Sequence, residues 1–373
     1  MKIFITILFL IFSTLTYTLE EEQGEGKGVG FIPYELYTKQ LKETIKEYKD
    51  KILEHWSHAE LPTNHKWVQY SHDYKEKCVV DFKNEKIMIN VIVPEDNHLH
   101  HSNKKIMENV KEMLKQDLKE SSKKTPYMND NHVIDSDELL VGDIYDLAGD
   151  TPEESEKKID KMISESKPVI KKAKKKGEVI VELSIPFPKD GILKKAAKYK
   201  KEVEKRAKEY EIKESLIYAV IHSESWYNPF ARSSVPAYGL MQIVPETSGK
   251  DVAKRIYGKV ILFTPKYLYN SKNNIEAGTN YLNLLYYTYF GDIENEISRK
   301  YCTIASYNTG AGNVSRAILG KIDLQETIDK INKMTSDEVY NRLIKHLPYK
   351  ETKEYLKAVN TRDIYYQEII EDI

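Results

Sequence analysis

The chain reads as an α+β protein, a small mixed domain followed by an all-helical one, and three observations carry that expectation. Runs rich in β-branched residues cluster in the first half, at 78–82, 86–93 and 178–185. From Asp190 onward apolar residues recur at helical spacing, and strand signals become few. The length, 373 residues, suits two domains of ordinary size. The expected division is 1–18 signal peptide, 19–33 linker, 34–188 mixed domain and 189–373 helical domain.

At the start, Lys2 precedes Ile3-Phe4-Ile5-Thr6-Ile7-Leu8-Phe9-Leu10-Ile11-Phe12. That core is too short to span a bilayer comfortably but fits a secretory signal. No cysteine follows it to carry an acyl chain, and Glu20-Glu21-Glu22 would be repelled by anionic lipid. The expectation is an exported, periplasmic protein, with the outer membrane or an uncleaved signal as the competing anchorage. A charged helix should cover 34–56. Lys83-Asn84-Glu85 reads as the turn of a hairpin between 78–82 and 86–93. His98, His100 and His101 have no thiol and few carboxylates beside them, so they read as a solvated loop. A helix is expected over 104–121. Thr151-Pro152-Glu153-Glu154 combines a capping residue, a proline at the first helical position and a closing glutamate. Its helix should end near Ser166, ahead of Pro168. Lys171 to Lys176, before Gly177, reads as a solvated helix end. Residues 178–185 should return to the same sheet.

In the second domain Asp190 is expected to cap a helix reaching Tyr210. Further helices should begin near Lys213 and cover 274–290, 298–308, 311–319, 335–346 and 350–370. A loop-rich insertion separates the first of these, over about 228–271. Cys78 and Cys302 stand far apart without metal-ligand spacing, and Cys302 sits in an apolar helical stretch. We expect no disulfide, no metal and no cofactor. With 57 basic against 58 acidic residues, the charge argument for nucleic-acid binding disappears.

The helix from Lys213 carries the chemistry. Ile217, Val220, Ile221 and Glu224 stand at i, i+3, i+4 and i+7, which puts a carboxyl on the buried face. Pro229 disfavours helical geometry at Asn228, so Glu224 falls in the last turn, where the helix dipole also opposes a negative charge. A carboxyl held protonated there can serve as a general acid. A core glutamate satisfied by an arginine or hydroxyl would show the same spacing.

Other stretches follow in order: Ala231-Arg232-Ser233, Gly239-Leu240-Met241-Gln242, Asn274-Ile275, Tyr281-Leu282, Ala305-Ser306-Tyr307-Asn308-Thr309-Gly310 and Glu351-Thr352-Lys353-Glu354-Tyr355. With Glu224-Ser225 and Asn228-Pro229 they resemble the lysozyme-like lytic transglycosylases that cut peptidoglycan. Asp251-Val252, the run 295–314 and, more weakly, Trp56 and Trp67-Val68-Gln69-Tyr70 are similar to the membrane-bound C-type members. The resemblance implies a lysozyme-like helical domain acting on peptidoglycan glycan strands, alongside cell-wall synthesis or hydrolysis partners, with Glu224 catalytic. It implies that Ser233 and Gln242 hold the acetamide and peptide side, that Met241 lines the cleft, that Tyr307 and Asn308 bond the acid or the sugar, and that Glu351 and Tyr355 close the opposite wall. Two departures stand out: the missing lipid-bearing cysteine, and Val235-Pro236 where smaller residues are usual. No second acid lies in the motif loop, since Glu246 and Asp251 follow the Met-Gln segment. A lysozyme-like hydrolase using the same glutamate, or an inert wall-binding scaffold, are the other readings open at this stage.

Overall fold

The computed structural model describes residues 34–96, 98–124, 138–147, 151–233 and 236–373. The expected signal and linker lie outside them, as does Val235. The chain begins with α1 (Tyr34–Leu53), β1 (Lys66–Tyr70), β2 (Glu76–Asp81) and β3 (Lys86–Pro94). Next come α2 (His98–Lys115), α3 (Leu118–Lys123), α4 (Pro152–Glu165), β4 (Val169–Lys172) and β5 (Glu178–Pro186). The five strands form one antiparallel sheet in the order β1-β2-β3-β5-β4. On β5, Val179, Val181, Leu183 and Ile185 are buried while the intervening positions are half-buried or exposed. That alternation is the period-two pattern that made the strand legible. Helix α2 covers the sheet with Ile106, Val110, Met113 and Leu114, a stripe at i, i+4, i+7 and i+8. The α+β expectation is borne out.

Several local expectations are corrected. Strand β1 was not expected, because four of its five residues are buried and no alternation marks it. The histidine segment is the first turn of α2 and not a loop, with His98 Nδ1 lying 2.9 Å from the Glu95 carbonyl. The lysine run is no helix end: β4 is an exposed edge strand, with Lys171 paired to Glu182 at 2.7 Å. Gly177, at φ +82°, turns the chain into β5. Charged side chains suit an edge that must not recruit further strands. The Thr151 capping box forms as expected.

The second half holds α5 (Gly191–Ala197), α6 (Lys200–Tyr210), α7 (Glu214–Ser225), α8 (Lys250–Tyr257), α9 (Pro265–Tyr269) and α10 (Ser271–Asn283). They are followed by α11 (Glu296–Thr309), α12 (Ala311–Leu319), α13 (Leu324–Ile331), α14 (Ser336–His346) and α15 (Lys350–Ile369). The single helix expected over 190–210 is two. Asp190 makes no side-chain cap bond, and the chain breaks at buried Tyr199, whose hydroxyl donates to Glu138 at 2.8 Å. The segment 284–289, expected as plain helix, is a π-turn continuing α10. The insertion contains α8, α9 and a π-turn at Pro245–Gly249. Cys78 and Cys302 are both free and buried. Phe230, Tyr238, Ile243, Phe263 and Tyr269 of the insertion join the apolar core of the sheet domain, and Trp67 stacks on Phe230 at 4.7 Å.

Candidate active site

Helix α7 delivers Glu224 and ends at once. Trp226 and Tyr227 take φ of +55° and +67°, left-handed values uncommon for residues with a side chain. The Trp226 N–H closes the helix on the His222 carbonyl at 3.2 Å. Ile217, Val220 and Ile221 are fully buried, and Glu224 is half-buried beyond them. Desolvation is the main cause that pushes the Glu224 carboxyl up to about 8, the charge of Glu351 adds to it, and the Tyr355 hydroxyl opposes it. A carboxyl in this state stays protonated at neutral pH.

Glu351 and Tyr355 stand one turn apart at the start of α15, so one helix face brings both to the acid. Glu351 is exposed and Tyr355 buried. The Tyr355 hydroxyl is buried with no hydrogen-bond partner in the geometry of the described residues. Tyr307, near the end of α11, is also close enough for the Glu224 charge to raise its pKa, although burial is the larger cause. Its hydroxyl donates to the Met241 carbonyl at 2.9 Å and not to the acid. Asn308 accepts from the Thr352 hydroxyl at 2.7 Å, tying α11 to α15.

The loop between Ala231 and Ile243 is held from beneath by Asn274 of α10. Its amide nitrogen donates to the Tyr238 and Leu268 carbonyls at 2.8 and 2.7 Å, and its oxygen accepts from Met241 N at 2.7 Å. Gly239 sits against it at φ +75°, where a Cβ would lie 2.3 Å from the Leu268 carbonyl oxygen and 2.4 Å from the Asn274 amide. Met241 is fully buried, its sulfur packed on Gly278 so closely that a Cβ there would sit 2.4 Å away. The expectation that Met241 lines a cleft is therefore corrected: it fastens the loop to α10. Gln242, at φ +49°, donates to the Ala231 and Gly239 carbonyls, both at 3.0 Å. Its Oε1 is buried with no protein donor among the described residues. Ser233 accepts from Ala237 N at 3.3 Å within the same loop.

Glu246 is paired with Lys250 at 2.5 Å, and Glu351 is the carboxylate whose charge adds to the shift of Glu224. No group of three or more metal-ligating side chains occurs among the described residues. A cavity of about 840 Å³ lies away from Glu224, in the sheet domain beside Tyr48, Tyr70 and Tyr74. Of its four lining carboxylates, Glu76, Glu108 and Glu112 are paired with Lys105, Lys104 and Lys124.

Asn274 was visible in the motifs, but without a role. Asn64 was not visible at all. Its side-chain nitrogen donates to the Glu224 carbonyl at 3.0 Å across 160 residues of sequence, and no local pattern encodes such a partner.

The comparisons with known proteins agree with the motif reading in both halves. Residues 201–329 match the family model of the transglycosylase SLT domain. Residues 34–146 match that of the membrane-bound lytic murein transglycosylase C, N-terminal domain. Over 189 residues the chain is 41% identical to membrane-bound lytic murein transglycosylase C of Yersinia pestis (strain Pestoides F), covering 51% of this chain and 52% of that one. The protein of the same name from Yersinia pseudotuberculosis serotype O:1b (strain IP 31758) gives the same values. The chain thus matches about half the length of these curated relatives. Among solved structures, the 70 kDa soluble lytic transglycosylase of Escherichia coli is 26% identical over 46% of this chain and 24% of that chain, with a TM-score of 0.35. A complex of the 70 kDa soluble lytic transglycosylase with bulgecin A is 25% identical over 48% and 26%, with a TM-score of 0.37.

Proposed function

We propose that the protein is a peptidoglycan lytic transglycosylase that cuts the MurNAc-β-1,4-GlcNAc bond and leaves 1,6-anhydro-MurNAc ends. The observation that carries this reading is a lone helix-terminal carboxyl, Glu224, pushed up to about 8 by burial, inside the segment similar to the transglycosylase SLT domain. Protonated Glu224 gives its proton to the glycosidic oxygen as the C1–O bond breaks, and the bonding pair leaves with that oxygen. The acetamide oxygen of MurNAc closes on C1 meanwhile, so no second carboxylate is needed as nucleophile. Glu224, now ionised, takes the proton of the C6 hydroxyl, and O6 displaces the acetamide from C1. The acid returns to its starting state, and no water is consumed.

The remaining residues have supporting roles in this reading. The unpartnered Oε1 of Gln242 accepts an amide N–H of the substrate, and Ser233 flanks the same side. Tyr307 and Asn308 shape the floor through Met241 and Thr352, and Glu351 and Tyr355 form the wall that sets the proton affinity of the acid. The site acts where peptidoglycan lies, outside the cytoplasmic membrane, and residues 1–18 direct export. Among the described residues no helix is long and apolar enough to cross a membrane.

Mass spectrometry of muropeptides released from purified sacculi tests the reaction. Products with anhydro-MurNAc termini are expected, whereas reducing termini would replace the proposal with a hydrolase. Fractionation with N-terminal sequencing tests export, and an intact Met1 in the membrane pellet would show that the signal is retained.

A further inference from the structure

The carbonyl groups of a helix's last turn need donors from outside the helix. In α7 the donor for Glu224 comes from the other domain. Asn64, in the segment entering β1, donates its side-chain amide to the Glu224 carbonyl at 3.0 Å. The contact is answered in the other direction: Asn228, fully buried just past the helix, directs its amide at the Thr63 and Asn64 carbonyls, both at 3.4 Å. The segment that reaches across is itself fixed. His65 Nδ1 lies 2.8 Å from the Asn64 side-chain oxygen, which leaves the Asn64 nitrogen to face Glu224. The His65 carbonyl accepts from Phe82 N at 3.0 Å, and Thr63 N donates to the Lys66 carbonyl at 3.0 Å. Beneath the segment, Trp67 stacks on Phe230. The helix end that it grips is held by two consecutive left-handed residues bearing side chains, a conformation that persists only where surrounding contacts impose it.

We propose that Asn64 is a positioning residue for the acid, and that the sheet domain holds the backbone of Glu224 at the height and angle its carboxyl needs. This rests on the assignment of Glu224 as proton donor. The sheet domain is then a working part of the active site, because a misplacement of about 1 Å at the reacting groups can cost about a hundredfold in rate.

The test uses the full chain. Asn64→Ala and Asn64→Asp remove the donor, the second while keeping the shape, and Asn64→Gln keeps an amide. Ile159→Val, in the buried core of the sheet domain, serves as a control for general destabilisation. We expect Asn64→Ala and Asn64→Asp to lose kcat by about tenfold with KM little changed, and to shift the alkaline limb of the pH profile. Asn64→Gln should recover part of the rate. Wild-type kcat in Asn64→Ala, a loss confined to KM, or an equal loss of kcat in the control would overturn the proposal. Failure of the underlying assignment reads differently, since Glu224→Gln would then remain active. An inactive Glu224→Gln beside a fully active Asn64→Ala refutes the role of Asn64 alone.

Discussion

Glu224 shows how much a single protonation state decides. In the proposed reaction the donor must carry its proton in the free enzyme, so activity should fall as pH rises through about 8. Glu224→Gln should abolish lysis of sacculi while leaving binding to them intact, and residual lysis near wild type would remove the assignment. Glu351→Gln takes away the like charge that helps raise the acid, so the alkaline limb should move to lower pH; a limb that stays put would mean Glu351 is electrically remote. The same shift is a statement about stability. The Glu224 pKa is higher folded than unfolded, so its contribution is fully present below about 4.5 and is lost as pH climbs through about 8. Glu224→Gln has no such dependence. Its melting temperature relative to wild type should therefore rise between pH 4.5 and 8, by the equivalent of roughly 4 kcal/mol. An offset that does not change with pH would argue against a raised carboxyl. This residue was legible in the sequence because its signal is local: three aliphatic neighbours at helical spacing and a proline five residues on. The partner of the Tyr307 hydroxyl, a backbone carbonyl 66 residues away, left no such trace.

At the scale of elements, the loop from Ala231 to Ile243 is built by one glycine and one asparagine more than by its own turns. Gly239 combines φ +75° with two atoms, the Leu268 oxygen and the Asn274 amide, that stand where a Cβ would go. Gly239→Ala would therefore pay both in backbone strain and in displacement of the Asn274 clamp. We expect a loss of about 3 kcal/mol or more, with loss of activity, because Gln242 hangs on the Gly239 carbonyl. Thr335→Ala sets the scale for a simple defect: it removes a capping box whose bonds involve none of the site residues and should cost about 1 kcal/mol with activity unchanged. Denaturant melts paired with turnover assays compare the two, and equal effects on both readouts would contradict a special role for Gly239. Start signals of this kind made α4 and α14 legible almost to the residue. The break between α5 and α6 was not legible, because helix formers run through it and the cause, the bond from Tyr199 to Glu138, is tertiary. The lysine run misled for a related reason: edge strands and helix ends both tolerate exposed cations, and pairing with β5 decided between them.

Across the whole molecule the two halves share a core. The insertion of the helical domain contributes Phe230, Tyr238 and Tyr269 to the cluster built by the sheet, although the sequence shows only a change of periodicity near Asp190. Trp67 is the central contact: fully buried on β1, it stacks on Phe230 at 4.7 Å with an interplanar angle of 29°. Phe230 in turn leans on Tyr269 at 5.7 Å. A core that crosses the junction should make wild-type unfolding a single calorimetric transition, since neither half can melt without exposing the other's aromatic rings. Trp67→Ala should cost about 3–5 kcal/mol and split that transition in two, the sheet domain melting first. Phe230→Ala should cost a similar amount. The loss in the double variant should fall short of the sum by about 1 kcal/mol, because each ring loses the same neighbour. Calorimetry on the four proteins measures both effects together. One transition throughout, with strictly additive losses, would show that the rings touch without coupling the domains.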